Sequence, residues 1–228
     1  MEAVGCMYVG SNPALCTSYL TMPFIMNFFK YNKQLNIIDI ENSNIIYVNG
    51  ILTSKKIALL QKRKLERLFK KTVAIIHNPT IGFFKDIFEC VSYSTFNRQS
   101  VVILSVSEII KHKINNTNEE IKLIGHSNGA TIINHALKLI EDDLTEEQLQ
   151  RIHFIAMGSP FIYDNLSTHI NIEYFCNSHD PVTHFNKLKL NSKKHIVVHI
   201  RTSKGHFFVR DYLVPIKNGE FGNKNFFN

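Results

Sequence analysis

From about residue 35 onward, short apolar runs alternate with segments whose apolar residues recur at helical spacing. That alternation is the pattern of a parallel sheet wrapped by helices, an α/β fold. Residues 44–50 (NIIYVNG) read as a buried strand ending in a turn, and residues 72–79 as a second strand and stop. Between them, residues 54–71 read as an amphipathic helix, with Ile57, Leu60, Leu65, Leu68 and Phe69 on its apolar face and its basic face in water. Residues 82–91 predict a short helix and 98–113 a longer one. Residues 121–124 predict a buried strand, and 130–140 a helix with apolar residues at helical spacing. The acidic run 141–147 (EDDLTEE) reads as a solvated loop and the start of another helix. Residues 153–158, 170–176 and 195–200 complete the strands. Without internal repeats or a low-complexity linker, the 228 residues read as one domain, 1–228, whose N-terminal segment 1–43 has less definite character.

One strand-to-helix junction carries chemistry. The run from Ile121 stops at Gly125-His126-Ser127-Asn128-Gly129 and passes directly into the helix. A serine raised on so sharp a turn needs small neighbours two residues away on each side, because side chains there would collide with the backbone as it doubles back. Gly125 and Gly129 meet that need, and Ser127 is the candidate nucleophile.

A serine hydroxyl is a poor nucleophile at neutral pH, so it requires a histidine to take its proton and usually a carboxylate to orient that histidine. With a nucleophile elbow these follow in the order Ser, Asp or Glu, His, each after a strand. Asp180, in Asn177-Ser178-His179-Asp180-Pro181, follows the strand ending at Cys176 and is the preferred acid; Asp164 is its rival. His206, in Lys204-Gly205-His206-Phe207, follows the last strand and is the preferred base. His184 competes but lies only four residues past Asp180, with no strand to bring it round. His195 and His199 share one strand face and read as structural. The oxyanion of a tetrahedral intermediate needs two backbone donors. The Asn128 amide is one; the other is expected from the loop after the first strand, where Gly50 permits close approach and Ile51 supplies the amide. His179, Asp180 and His184 are metal-ligand types, yet no third-ligand motif matches them, so no metal is expected.

Composition narrows the class. Hydrophobic residues at 44% and charged residues at 20% describe an ordinary globular protein and not a disordered one. The formal net charge of +7 favours anionic partners, although abundant Lys, Asn and Ile fit coding bias as well. Its only real cluster is Lys55, Lys56, Lys62, Arg63, Lys64, Arg67, Lys70 and Lys71, against Glu66 alone. A solvated helix face is the simpler reading, and weak contact with an anionic membrane surface or a docking partner the sharper one. No nucleic acid is expected. Cys6, Cys16, Cys90 and Cys176 form no C-x-x-C pair. Cys176 reads as a core residue; a Cys6–Cys16 disulfide stays open. The first thirty residues lack the features of a cleavable signal, and the apolar stretch 19–29 is too short to span a bilayer. A cytoplasmic location is favoured, with signal-independent secretion left open. Phe161, Ile162, Phe207 and Phe208 are acyl-pocket candidates whose default role is core packing.

Taken in order, Gly125-His126-Ser127-Asn128-Gly129, Asp180 with Pro181, and His206 resemble the α/β-hydrolase superfamily, in the manner of lipases and esterases, across about residues 44–212. A slighter resemblance, at Asn49-Gly50 and 78–82, is to uncharacterised hydrolase-like proteins of chlamydia-type intracellular bacteria. The superfamily resemblance implies a mainly parallel sheet flanked by helices, and cleavage of an ester or thioester, small or lipid-derived, through an acyl-enzyme without metal or organic cofactor. Asn49-Gly50 departs from the common His-Gly and HGGG-type oxyanion signatures. The short stretch between the elbow helix and the Asp180 loop leaves no length for a large lid. An acyltransferase would use the same residues, and a binding or scaffold protein that kept the fold but lost catalysis is the competing class.

Overall fold

The computed structural model describes residues 36–78, 96–160, 166–183 and 196–222, all within one compact unit, Leu35–Asn228. Seven strands form one sheet: β1 (Ile37–Ile38), β2 (Ile45–Val48), β3 (Ala74–Ile76), β4 (Ile121–His126), β5 (Ile152–Met157), β6 (Asn171–Asn177) and β7 (Ile196–Arg201). Their order is β1-β3-β2-β4-β5-β6-β7. Only β1 runs antiparallel to its neighbour. The helices are α1 (Lys55–Phe69), α2 (Phe96–Asn116), α3 (Asn128–Ile140), α4 (Glu146–Gln150) and α5 (Val214–Lys217), with a π-helical turn over Phe208–Leu213. This is the expected α/β architecture. The antiparallel edge strand β1 was not foreseen, because two residues carry no periodicity.

The strands β2 to β5 are almost wholly buried, as a sheet covered on both faces requires. One face carries Tyr47, Ile75, Ile124, Ile155 and Phe175, packed with Ala58 and Leu65 of α1 and with Phe208, Tyr212, Ile216 and Phe221 of the C-terminal segment. On the opposite face α3 packs on β2 and β4, with α2 beside it. The winding reverses at β2: the chain goes from β2 to β3 on one side and to β4 through β7 on the other. In open parallel sheets the crevice at such a reversal, outside the carboxyl ends of the strands, is where ligands bind. Here it lies between the ends of β2 and β4.

Two expectations need correction. Ile57 and Leu60 do not face the core. The inward face of α1 is Ala58, Gln61, Lys62 and Leu65, and its polar members are paired: the Tyr47 hydroxyl donates to Gln61 (2.8 Å), while Lys62 pairs with Asp39 (2.9 Å) and, one turn on, with Glu66. Nor is the whole acidic run solvated. Glu141 is buried, pairing with Lys138 and accepting the Ser167 amide (2.8 Å). The helix α4 does begin in that run, closed by a capping box between Thr145 and Gln148.

Cys176 is buried in β6 as expected. The helix expected at 82–91, the apolar stretch 19–29 and Cys6, Cys16 and Cys90 lie outside the described residues. Among the described residues no helix is long and apolar enough to cross a membrane.

Candidate active site

Ser127 sits between the last residue of β4 and the first of α3, with φ 53° and ψ −127°. A non-glycine residue there stores about 1–3 kcal/mol of strain, so neighbours must impose the conformation. They do so through the Ser127 amide, which donates to Met157 of β5 (2.9 Å), and the Ser127 carbonyl, which accepts from Ala130 (3.0 Å). A methyl on Gly125 would lie 2.3 Å from the Ala130 Cα, and one on Gly129 2.2 Å from the Val48 carbonyl oxygen. Both contacts are with backbone, so no side chain can move aside; this is the crowding that the spacing of the two glycines suggested. The amide of Asn128, buried like Ser127, heads α3, where helix N–H groups point toward the N-terminal end.

Asp180 and His206 come together. The His206 Nδ1 lies 2.6 Å from Asp180 Oδ2. An ionised carboxylate only accepts, so Nδ1 carries the proton and Nε2 keeps its lone pair. Asp180 is buried and fully engaged: the Tyr212 hydroxyl also donates to Oδ2 (2.6 Å), and the Val182 amide donates to Oδ1 (2.9 Å). Burial first, and then the Asp180 charge, push the Tyr212 phenol far up, so it stays a donor.

The loop carrying His206 is clamped on both sides. The Asn177 amide donates to the Gly205 carbonyl (2.7 Å) and the Asp211 carbonyl (3.2 Å), and Arg201 holds Asn177 Oδ1 (3.1 Å). The Asp211 carboxylate accepts the Phe207 amide (2.7 Å). Burial opposes ionisation of Asp211, but Arg210 and the Phe207 amide outweigh it and lower its pKa.

His126 links this loop to the elbow. Its Nε2–H donates to the His206 carbonyl (2.8 Å), and the two rings lie 4.9 Å apart. Burial, followed by the neighbouring His206, lowers the His126 pKa to about 3. The ring is therefore neutral and fixed in the Nε2–H tautomer. The loop after β2, where an oxyanion donor was expected, lies against the elbow. A methyl on Gly50 would lie 2.9 Å from Ser127 Cβ and 3.2 Å from His126 Nδ1, so only glycine lets this backbone reach the serine without a shift. The Asn49 side chain donates to the Gly50 carbonyl (2.8 Å) and accepts the Asn78 amide (3.0 Å). Because a peptide is planar and trans, anchoring the Gly50 carbonyl turns the Ile51 N–H to the opposite side. Leu52 then takes a left-handed φ of 58°, and Thr53 is tied back to His77 (2.8 Å).

Of the sequence candidates, Gly50, Ser127 and Asn128 therefore lie together where β2 and β4 end, with Ile51 next along the same loop, and Asp180 pairs with His206, whose loop is bonded to His126. Asp164, His184, Phe161 and Ile162 lie outside the described residues. Phe208 is core, stacked on Tyr47 at 4.8 Å. His199 is structural, bonded to Glu173 (2.8 Å) and stacked on Phe175. His179 bonds to Ser178 (2.7 Å). Tyr212, Asn177, Asp211 and the Asn49 side chain escaped the sequence reading. The partners of Tyr212 and Asn177 lie far along the chain, those of Asp211 and the Asn49 side chain include near neighbours, and no short motif joins the four.

Residues 45–179 match the model of the family described as "Putative serine esterase (DUF676)". The match spans the loop after β2 and the elbow and stops one residue before Asp180. No curated protein matches the chain. Among solved structures, a dienelactone hydrolase from Anabaena variabilis is 14% identical over 78% of this chain and 79% of that one, with a TM-score of 0.46. RedJ-thioesterase from the prodiginine biosynthetic pathway in Streptomyces coelicolor is 14% identical over 80% and 88%, with a TM-score of 0.45. A Trichoderma reesei cutinase, in complex with a phosphonate inhibitor, is 12% identical over 62% of this chain, with a TM-score of 0.41; the chain spans 64% of its length. Likeness at this level says nothing about substrate. The elbow, the sheet order and the family match over more than half the chain agree, and the chain belongs to the family described as "Putative serine esterase (DUF676)", with an α/β-hydrolase fold.

Proposed function

We propose that this protein hydrolyses a carboxylic ester or thioester through an acyl-enzyme on Ser127. The single observation that carries the reading is the Asp180–His206 pair at 2.6 Å, its carboxylate buried, on a loop bonded to the residue preceding an elbow serine. His206 Nε2 takes the Ser127 proton as Oγ attacks the acyl carbonyl, and Asp180 holds the ring in the tautomer that permits this. The tetrahedral oxyanion is held by the Asn128 and Ile51 amides. The tetrahedral intermediate then collapses: His206 returns the proton to the leaving alcohol or thiol, and the acyl group stays on Ser127. Water repeats the sequence, with His206 accepting its proton, and releases the acid and the free serine.

The neutral His126 supports this assignment of roles. Its ring lies against His206, yet its Nε2–H is committed to a carbonyl and its pKa is too low for a base. The test is hydrolysis of a p-nitrophenyl ester series of rising acyl length by wild type, Ser127→Ala and His206→Ala. Wild type cleaves one range of lengths, and each variant loses about 10⁴-fold or more in kcat. Turnover unchanged in Ser127→Ala would overturn the proposal.

A further inference from the structure

The rim of the candidate site is apolar where a soluble-substrate enzyme has no need of it. Leu52, the residue after the oxyanion donor, is 52% exposed, and Phe207, the residue after the base, is 68% exposed. Both loops converge on the elbow, since Gly50 and the His206 carbonyl each abut His126. The helix α1 continues from the oxyanion loop, so its first turns lie at the carboxyl edge of the sheet, beside the site. There Ile57 and Leu60 are 46% and 48% exposed. A helix that already buries Ala58, Gln61, Lys62 and Leu65 leaves these two aliphatic side chains on its outer face.

The same outer face is cationic. At 3.6 residues per turn, Ile57, Leu60 and Lys64 form one stripe, bordered on its outer side by Lys56, Arg63 and Arg67. All four basic residues are exposed. The sole acid of α1, Glu66, is committed to Lys62 and to the Val73 amide (3.3 Å). No carboxylate of α1 therefore offsets the outer cations. Aliphatic groups bordered by lysine and arginine, beside a mouth already edged by Leu and Phe, match the boundary between acyl chains and anionic headgroups. A second copy of this chain, with its net charge of +7, would present like charge to the same face.

We propose that α1 and the rim of the site form a docking surface for an anionic phospholipid bilayer, on which Leu52, Ile57, Leu60 and Phe207 enter the interface while Lys56, Arg63, Lys64 and Arg67 engage the headgroups. The orientation turns the mouth toward the lipid and makes a lipid-borne ester the substrate class. That last step rests on the esterase reading, whereas the docking itself does not.

The experiment is co-sedimentation with phosphatidylcholine vesicles, with and without phosphatidylserine, using the full chain as wild type, Ser127→Ala, Ile57→Ser/Leu60→Ser and Lys56→Glu/Lys64→Glu. Wild type and Ser127→Ala bind the anionic vesicles alike and more tightly than the neutral ones. The charge-reversal variant partitions at least about tenfold less, and the Ile57→Ser/Leu60→Ser variant about tenfold less. Both keep wild-type turnover on a soluble short-chain ester, which shows that they fold. Failure of wild type to bind either vesicle overturns the proposal, whatever the ester assay shows. Binding that persists in the charge-reversal variant, or retention by an immobilised acidic protein without vesicle binding, also overturns it. Vesicle binding without ester cleavage by wild type would leave the docking surface standing and remove the esterase reading.

Discussion

Replacing Asp180 by Asn keeps the shape of the side chain and removes its charge. Three donors converge on this carboxylate: His206 Nδ1 and the Tyr212 hydroxyl on Oδ2, both at 2.6 Å, and the Val182 amide on Oδ1 at 2.9 Å. A carboxylate accepts all three; an amide has one accepting oxygen and one NH₂. With the oxygen toward His206, the NH₂ confronts the Val182 N–H. With the NH₂ toward His206, the imidazole must accept at Nδ1 and carry its proton on Nε2, the atom meant to take the serine proton. The first arrangement leaves a buried donor unsatisfied, at about 1–3 kcal/mol, so Tm falls by roughly 2–12 °C for a chain of this size. The second preserves more hydrogen bonds and costs about 10⁴ in kcat, as a misplaced proton does in serine triads, equivalent to about 5 kcal/mol of activation free energy. The assay pairs p-nitrophenyl ester kinetics with a thermal melt of the same preparation. A variant whose Tm drops while kcat stays within about threefold of wild type would refute the reasoning, because Asp180 would then serve its turn and not His206.

Asn49→Ala removes the anchor on the Gly50 carbonyl; kcat should fall toward the ~10²–10³ cost of a lost oxyanion donor with KM little changed, and an unchanged kcat would dissociate Asn49 from the oxyanion loop. Gly125→Ala places a methyl 2.3 Å from a backbone Cα; the expected result is no folded protein or a loss of about 3 kcal/mol or more in denaturant titration, and a near-native midpoint would contradict the elbow packing. Burial works against ionisation of Glu173, but hydrogen bonds from His153 and His199 outweigh it and hold its pKa at about 2. Because the folded value lies below the unfolded one of about 4.3, the stability it confers is full above that pH and is lost as pH falls through about 2. Glu173→Gln should flatten the acid limb of the Tm profile in that window; parallel profiles would exclude the linkage.

What the sequence made legible was what local chemistry dictates. The elbow could be read because steric crowding at Gly125 and Gly129 leaves no alternative residue, and the strands because β2 to β5 are buried on both faces and hence apolar almost throughout. Asp180 and His206 were chosen by chain order after successive strands, and the two side chains pair in the structure. What sequence could not supply depends on distant contacts. Leu65 was placed correctly on the inward face of α1, but Ile57 and Leu60 were not: the helix turns Ala58, Gln61 and Lys62 inward instead, where Gln61 and Lys62 meet the Tyr47 hydroxyl and Asp39. Glu141 looked solvated because its partners, Lys138 and the Ser167 amide, are not visible in a run of acids. Tyr212 reaches Asp180 from the π-helical turn Phe208–Leu213, a rare geometry with no compositional signature.

The central claim is that Ser127 is the nucleophile. A fluorophosphonate probe reacts with a serine only where a base activates it and an oxyanion site receives the phosphoryl oxygen. Intact-mass and peptide analysis after labelling should place one adduct on Ser127 in wild type and none in a folded Ser127→Ala variant. Equal labelling of the two proteins, or an adduct on another serine, would contradict the account.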